Sequence, residues 1–154
     1  MLVGVVTREA TEEAVPAWVE VQTHSIIDPV AAQSLTTVPP GAEVEVIFGT
    51  WCGDSKREVA RLWRALDEVG GEVPFGLSWV AVSRDKLEPA DRLAGVNVEY
   101  VPTFVVRRGG REVGRIVETS RQGIEKDLLD LLTGAKQGVI SESRPELESP
   151  GDQR

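Results

Sequence analysis

Residues 44–55 read Val-Glu-Val-Ile-Phe-Gly-Thr-Trp-Cys-Gly-Asp-Ser, and they carry the chain from a strand into a helix. Val44, Val46 and Phe48 alternate with Glu45 and Ile47, a strand pattern in which most positions are apolar. Beyond Ser55, the residues Val59, Leu62, Trp63, Leu66 and Val69 recur at helical spacing. Lys56, Arg57, Glu58, Arg61, Arg64, Asp67 and Glu68 fill the opposite face, and Gly70-Gly71 closes the helix. Cys52 therefore stands where a buried strand turns into a strongly amphipathic helix.

The flanking sequence extends this pattern. Gly76 to Val82 reads as a second buried strand, and Pro89 to Ala94 as a short helix. Val101–Val106 and Glu112–Val117 read as two strands joined by the turn Arg107-Arg108-Gly109-Gly110, with Ser120 expected to cap a last helix that Gly134 ends. On the N-terminal side, Leu2–Val6 suits a short edge strand and Thr7–Gln22 a weak helix interrupted by Pro16. Asp28-Pro29 opens a helix to about Thr36. Parallel pairing comes first and an antiparallel hairpin follows, which gives an α/β domain. The expected division is an N-terminal extension over residues 1–40 packed on the domain, a core over 41–134 and a mobile tail over 135–154.

Composition limits the chemistry. The 154 residues suit one domain, and a formal net charge of −8 argues against a nucleic-acid footprint. The acidity is concentrated before residue 44. One cysteine, Cys52, excludes an internal disulfide and a cysteine-rich metal site, and one histidine, His24, leaves little for a metal centre or for a hydrolase that recruits imidazole. No metal site is expected. The opening apolar run, Met1 to Val6, is too short for a secretory leader, no stretch is long enough to span a membrane, and a cytoplasmic location is expected. The arginines at 107, 108, 111 and 115 read as a solvated turn. Trp63 and Trp79 read as core, while Trp18 suits either core or a partner-facing position.

At a helix start, the sulfur of Cys52 lies near free backbone N–H groups and the positive end of the helix dipole, a setting that favours the thiolate. Trp51 supplies a flat apolar wall, and the Ser55 hydroxyl is expected to turn toward the sulfur as a donor. These are the parts of an activated nucleophile. A small buried hydrophobe is the other fate of a free cysteine, and position alone does not choose between the two.

The segment from Phe48 to Ser55, followed by an amphipathic helix and later by Tyr100-Val101-Pro102-Thr103-Phe104, resembles the thioredoxin-like superfamily over about residues 41–134. The resemblance implies a thioredoxin-like fold, a central mixed β-sheet flanked by helices. It places Trp51 and Cys52 at the family's Trp-Cys and puts Val101, Pro102 and Thr103 in its substrate-aligning cis-proline loop, with Gly53 and Asp54 supporting the site. Two departures matter. The second cysteine of Trp-Cys-x-x-Cys is replaced by Ser55, so a mixed disulfide at Cys52 has no internal thiol to resolve it. The family's buried acid falls on Val46, since the adjacent Glu45 points to the other face of the strand.

Together these imply a monothiol oxidoreductase in which Cys52, with Ser55 as its neighbour, attacks a partner disulfide or oxidised thiol. No cofactor is expected to be bound; glutathione or another small thiol would resolve the mixed disulfide, and the partners are protein or small-molecule thiols and disulfides. Peroxide chemistry through a sulfenic acid is a second chemistry open to such a thiol. The competing class is a redox-inactive thioredoxin-fold adaptor. The oligomeric state is not legible in the sequence.

Overall fold

The computed structural model describes residues 1–148. The chain begins with strand β1 (Gly4–Val6), followed by helices α1 (Arg8–Ala14) and α2 (Pro16–His24). The helix expected over 7–22 is split at Val15, because Pro16 has no N–H to give and disfavours helical backbone in the residue before it. Thr7 caps α1 by accepting from the Ala10 N–H, and Asp28 caps α3 (Pro29–Ser34) by accepting from Val30 and Ala31. Strand β2 (Ala42–Phe48), helix α4 (Gly53–Glu68) and strand β3 (Gly76–Ala81) form the parallel unit. Then come α5 (Ala90–Leu93), the hairpin of β4 (Thr103–Arg108) and β5 (Arg111–Val117), α6 (Ile124–Thr133) and β6 (Gly138–Ile140).

The strands form one mixed sheet in the order β1-β3-β2-β4-β5-β6. β2 lies near its centre, parallel to β3 and antiparallel to β4, while β1 and β6 close the two edges. Burial on both faces explains the apolar composition of β2. Val44, Val46 and Phe48 face Val59, Leu62 and Trp63 of α4 and Ile124, Leu128 and Leu131 of α6. Trp18 is buried in the same core, with ring centres 5.8 Å from Phe48 and 6.1 Å from Trp63. Trp63 is wholly buried, and Trp79 packs half-buried against it. On the other face, Ile47 joins Val80, Val82, Val96, Val101 and Val105 in a smaller core.

Glu45 and Glu125 are buried against arginines, whereas Asp127, with no exposed surface, accepts from the Arg121 N–H at 2.7 Å and the Gln122 side-chain amide at 2.9 Å. Glu45 accepts from Arg92 at 3.0 Å and Arg107 at 2.9 Å. Arg107 is thus spent on an ion pair, Arg108 on the carbonyls of Pro40, Pro39 and Leu132, and Arg115 on Glu112, so the hairpin cluster is more than a solvated turn. Glu125, with no exposed surface, takes a forked contact from Arg61 of α4, with Nη2 at 2.6 Å and Nε at 2.9 Å, and also accepts from the Asp28 N–H at 2.8 Å. This bond carries the Arg61 guanidinium above its ordinary pKa against the opposing effect of burial.

Two expectations are corrected. The cap of α6 is Gly123 at φ 96°, where a side chain would collide with the Arg61 guanidinium, whereas the Ser120 hydroxyl donates to Glu58 at 2.8 Å. The tail expected from residue 135 instead returns to the sheet as β6, parallel to β5. The Ser141 hydroxyl then donates to the Val117 carbonyl at 2.7 Å, and a 3-10 turn follows at Pro145–Leu147. Residues 149–154, the rest of that expected tail, lie outside the described residues. No helix among the described residues is long and apolar enough to cross a membrane.

Removing one partner of a buried pair strands the other charge. Arg61→Met should lower the unfolding free energy by about 3 kcal/mol in urea titrations, with part of that loss recovered in Arg61→Met/Glu125→Leu. Equal stability of the single variant and wild type would contradict the role given to Glu125.

Candidate active site

The turn between β2 and α4 is tight and internally bonded. The Cys52 N–H donates to the Gly49 carbonyl at 3.1 Å, and the Lys56 N–H to the Cys52 carbonyl at 3.0 Å. Cys52 is the N-cap of α4, in extended conformation, with its sulfur accepting from the Ser55 N–H at 3.4 Å. This is where a helix start offers unpaired donors. The thiol also donates to the Val101 carbonyl at 3.5 Å, and its side chain is partly exposed.

Ser55 is fully buried, and its hydroxyl accepts from the Gly49 N–H at 3.1 Å. The expectation that this hydroxyl would face the sulfur is corrected. In capping geometry the backbone N–H of Ser55 points at the sulfur, while the hydroxyl lies on the strand side and satisfies the turn. Trp51 folds over that turn. Its indole N–H donates to the Val82 carbonyl at 3.0 Å, and a Cβ on Gly49 would sit 2.5 Å from the ring. Gly49 is therefore required by the ring that covers it.

Gly53 opens α4 in open space, where an added side chain would touch nothing. Asp54 is held by Arg57 at 2.8 Å, and Arg57 also meets Glu58 at 3.1 Å. Burial works against the Arg57 charge, yet its bonds to Asp54 and Glu58 keep its pKa above the ordinary value. The carboxylate nearest the cysteine in sequence is in this way neutralised by the next turn of the helix.

The Val101–Pro102–Thr103 loop is brought to the sulfur through the Val101 carbonyl. The Val101–Pro102 peptide is cis. All three side chains are buried, and the Thr103 hydroxyl donates to the Tyr100 carbonyl at 2.7 Å. What this loop presents at the sulfur is backbone. The Pro102 carbonyl accepts from the Glu118 N–H at 2.7 Å. Glu118 has φ 69° and is fixed by Arg144 at 3.2 Å and by the Ser143 hydroxyl at 2.8 Å.

Three neighbours of the site were missed in the sequence: Glu118, and the cations Arg84 and Lys86, which lie 5.7 Å and 5.8 Å from the Trp51 ring. Arg84 and Lys86 belong to the loop after β3, and the parallel β2–β3 pairing that delivers this loop beside Trp51 was the available signal. His24 is exposed on α2, with Nδ1 2.9 Å from the Glu20 carbonyl oxygen, away from this group.

No family model matches the chain. Thioredoxin H2-1 of Oryza sativa subsp. japonica is 34% identical over 79 residues, 51% of this chain and 52% of the relative, so the chain spans about half the length of the curated relative it matches. A protein of unknown function from Pseudomonas aeruginosa has a similar solved structure, with TM-score 0.57 and 17% identity over 84% of this chain and 88% of that one. Trxlp from Edwardsiella tarda aligns with TM-score 0.46 and 19% identity over 70% of this chain and 95% of its own. The Pseudomonas likeness bears on fold alone. With its central mixed sheet, parallel β2–β3 unit, antiparallel β4–β5 hairpin and closing α6, the chain has a thioredoxin-like fold.

Ser55→Ala keeps the N–H that reaches the sulfur and strips the acceptor from the buried Gly49 N–H. It should cost about 1–2 kcal/mol in unfolding free energy while the iodoacetamide alkylation rate of Cys52 stays within about twofold. A collapse of alkylation at unchanged stability would reverse the roles given to the two Ser55 groups.

Proposed function

We propose that this chain is a monothiol thiol–disulfide oxidoreductase with Cys52 as its nucleophile. The Cys52 thiolate attacks a partner disulfide, forming a mixed disulfide and releasing one partner thiolate. A small thiol such as glutathione then attacks the Cys52 sulfur, freeing the second partner thiol. A second small thiol releases Cys52 and leaves as a small-molecule disulfide. The electrons come from the two small thiols, so the cycle needs a reducing compartment such as the cytoplasm.

The observation that carries this reading is the pairing at the helix start. A partly exposed sulfur receives the Ser55 N–H and sits against the Val101 carbonyl, while the position of a resolving thiol is filled by a hydroxyl bonded to Gly49. The Val101–Pro102 backbone suits an extended partner segment laid over the sulfur. Asp54 supports the site by taking its pairing from Arg57 rather than facing the sulfur unpaired.

Mixed with insulin in the absence of small thiols, the reduced protein should form a disulfide-linked adduct without turnover, visible on a non-reducing gel. Glutathione should release it, Ser55→Cys should release insulin without glutathione, and Cys52→Ser should form no adduct. Turnover by the wild type with no added thiol would defeat the monothiol cycle, and absence of any adduct would favour a redox-inactive adaptor.

A further inference from the structure

Most cations of this acidic chain are committed. Arg8, Arg57, Arg61, Arg64, Arg92, Arg107, Arg115, Arg121, Lys126, Lys136 and Arg144 pair with carboxylates, and Arg108 with carbonyls. Among the described residues, Lys56, Arg84, Lys86 and Arg111 have side chains in no such pair. Two of these four stand over the residue that precedes the cysteine. Arg84 and Lys86 lie over the ring of Trp51, and Lys56 occupies the first turn of α4 with its amide bonded to the Cys52 carbonyl. The fourth, Arg111, opens β5 at the far end of the hairpin.

The loop that carries Arg84 and Lys86 is built to hold them there. The Lys86 N–H donates to the Ser83 carbonyl at 2.9 Å, and Lys86 has φ 62°, a left-handed conformation that residues other than glycine, asparagine and aspartate seldom adopt. The carboxylates adjacent in sequence bond to groups other than these two cations, Asp85 and Glu88 keeping their charge on neutral donors of their own loop. Asp85 accepts from the Ser83 hydroxyl at 2.6 Å and the Leu87 N–H at 3.0 Å, Glu88 accepts from the Ala90 N–H at 3.2 Å, and Asp54 is paired with Arg57. A strained backbone that positions an unpaired cation beside the reactive residue points to a ligand charge supplied from outside.

We propose that Arg84 and Lys86, held over Trp51, form a rim that selects carboxylate-bearing disulfides as substrates of Cys52. This rests on the reading of Cys52 as nucleophile and adds the substrate class. An attacking thiolate repels an anionic disulfide, and a local positive rim on a chain of net charge −8 reverses that repulsion at the point of encounter. In the step itself the Cys52–sulfur bond forms as the substrate S–S bond breaks. The departing thiolate takes the electron pair, with its carboxylate still facing the rim.

Charge-matched thiol reagents test this on the full chain. Carboxyethyl and trimethylammonioethyl methanethiosulfonate attach the same linkage with opposite charge, and methyl methanethiosulfonate reports on the bare thiol. In Arg84→Gln/Lys86→Asn, where asparagine tolerates the left-handed backbone, the anionic-to-cationic rate ratio should fall by about tenfold and its salt dependence should shrink, while Arg111→Gln leaves it unchanged. An unchanged ratio in the double variant, with normal reaction toward the methyl reagent, overturns the rim and leaves the nucleophile standing. Inertness of Cys52 to all three reagents removes the nucleophile and the rim with it.

Discussion

One buried carboxylate holds the helical layer to itself. Glu125 sits in the first turn of α6 without exposed surface, and it is tolerated there because Arg61 meets it with a forked guanidinium and the Asp28 amide takes the remaining acceptor capacity. Those partners belong to α4 and to the cap of α3, so one charge fixes three helices over the larger core. The position of α4 fixes the position of its N-cap, and the N-cap carries the sulfur. Gly123 is part of the same constraint, since only a residue without a side chain leaves room for the guanidinium.

At the site, backbone does most of the positioning. The sulfur accepts from an amide and donates to a carbonyl, Trp51 is hung from the Val82 carbonyl, and the Ser55 hydroxyl completes the turn beneath them. Side-chain identity matters chiefly where space or charge is at stake, as with glycine under the indole and arginine beside Asp54. Such a frame keeps its shape without a second sulfur, because the Ser55 hydroxyl bonds to the turn in that place.

Legibility in the sequence follows the range of the forces involved. The α4 helix was readable because Val59, Leu62, Trp63 and Leu66 recur on one face, and β2 because its apolar run is bounded by Gly41 and Gly49. The Asp28 cap was readable from local chemistry, whereas the start of α1 lay open between Thr7 and Thr11. β6 was not, since Gly138-Val139-Ile140 is too short to show a period and is held by the partner strand β5. The Gly123 cap was hidden because its need for glycine comes from Arg61, far along the chain. Cys52, Trp51 and the Val101–Thr103 loop were legible as motifs, whereas the direction of the Ser55 hydroxyl and the approach of Arg84 and Lys86 depend on how the turn and the β3 loop meet in space.

The two edges of the sheet have a consequence for life at high concentration. β1 and β6 are each three residues long, so each outermost strand offers only a short row of unpaired amides and carbonyls, and the edge steps back to residues 76–78 of β3 and 111–113 of β5 beyond it. A foreign strand gains few ladder bonds there, and repeated addition, the route by which exposed sheet edges grow into fibres, finds little template. A protein whose proposed chemistry requires it to receive other chains in extended form thereby offers them a broken edge rather than a long straight one to join.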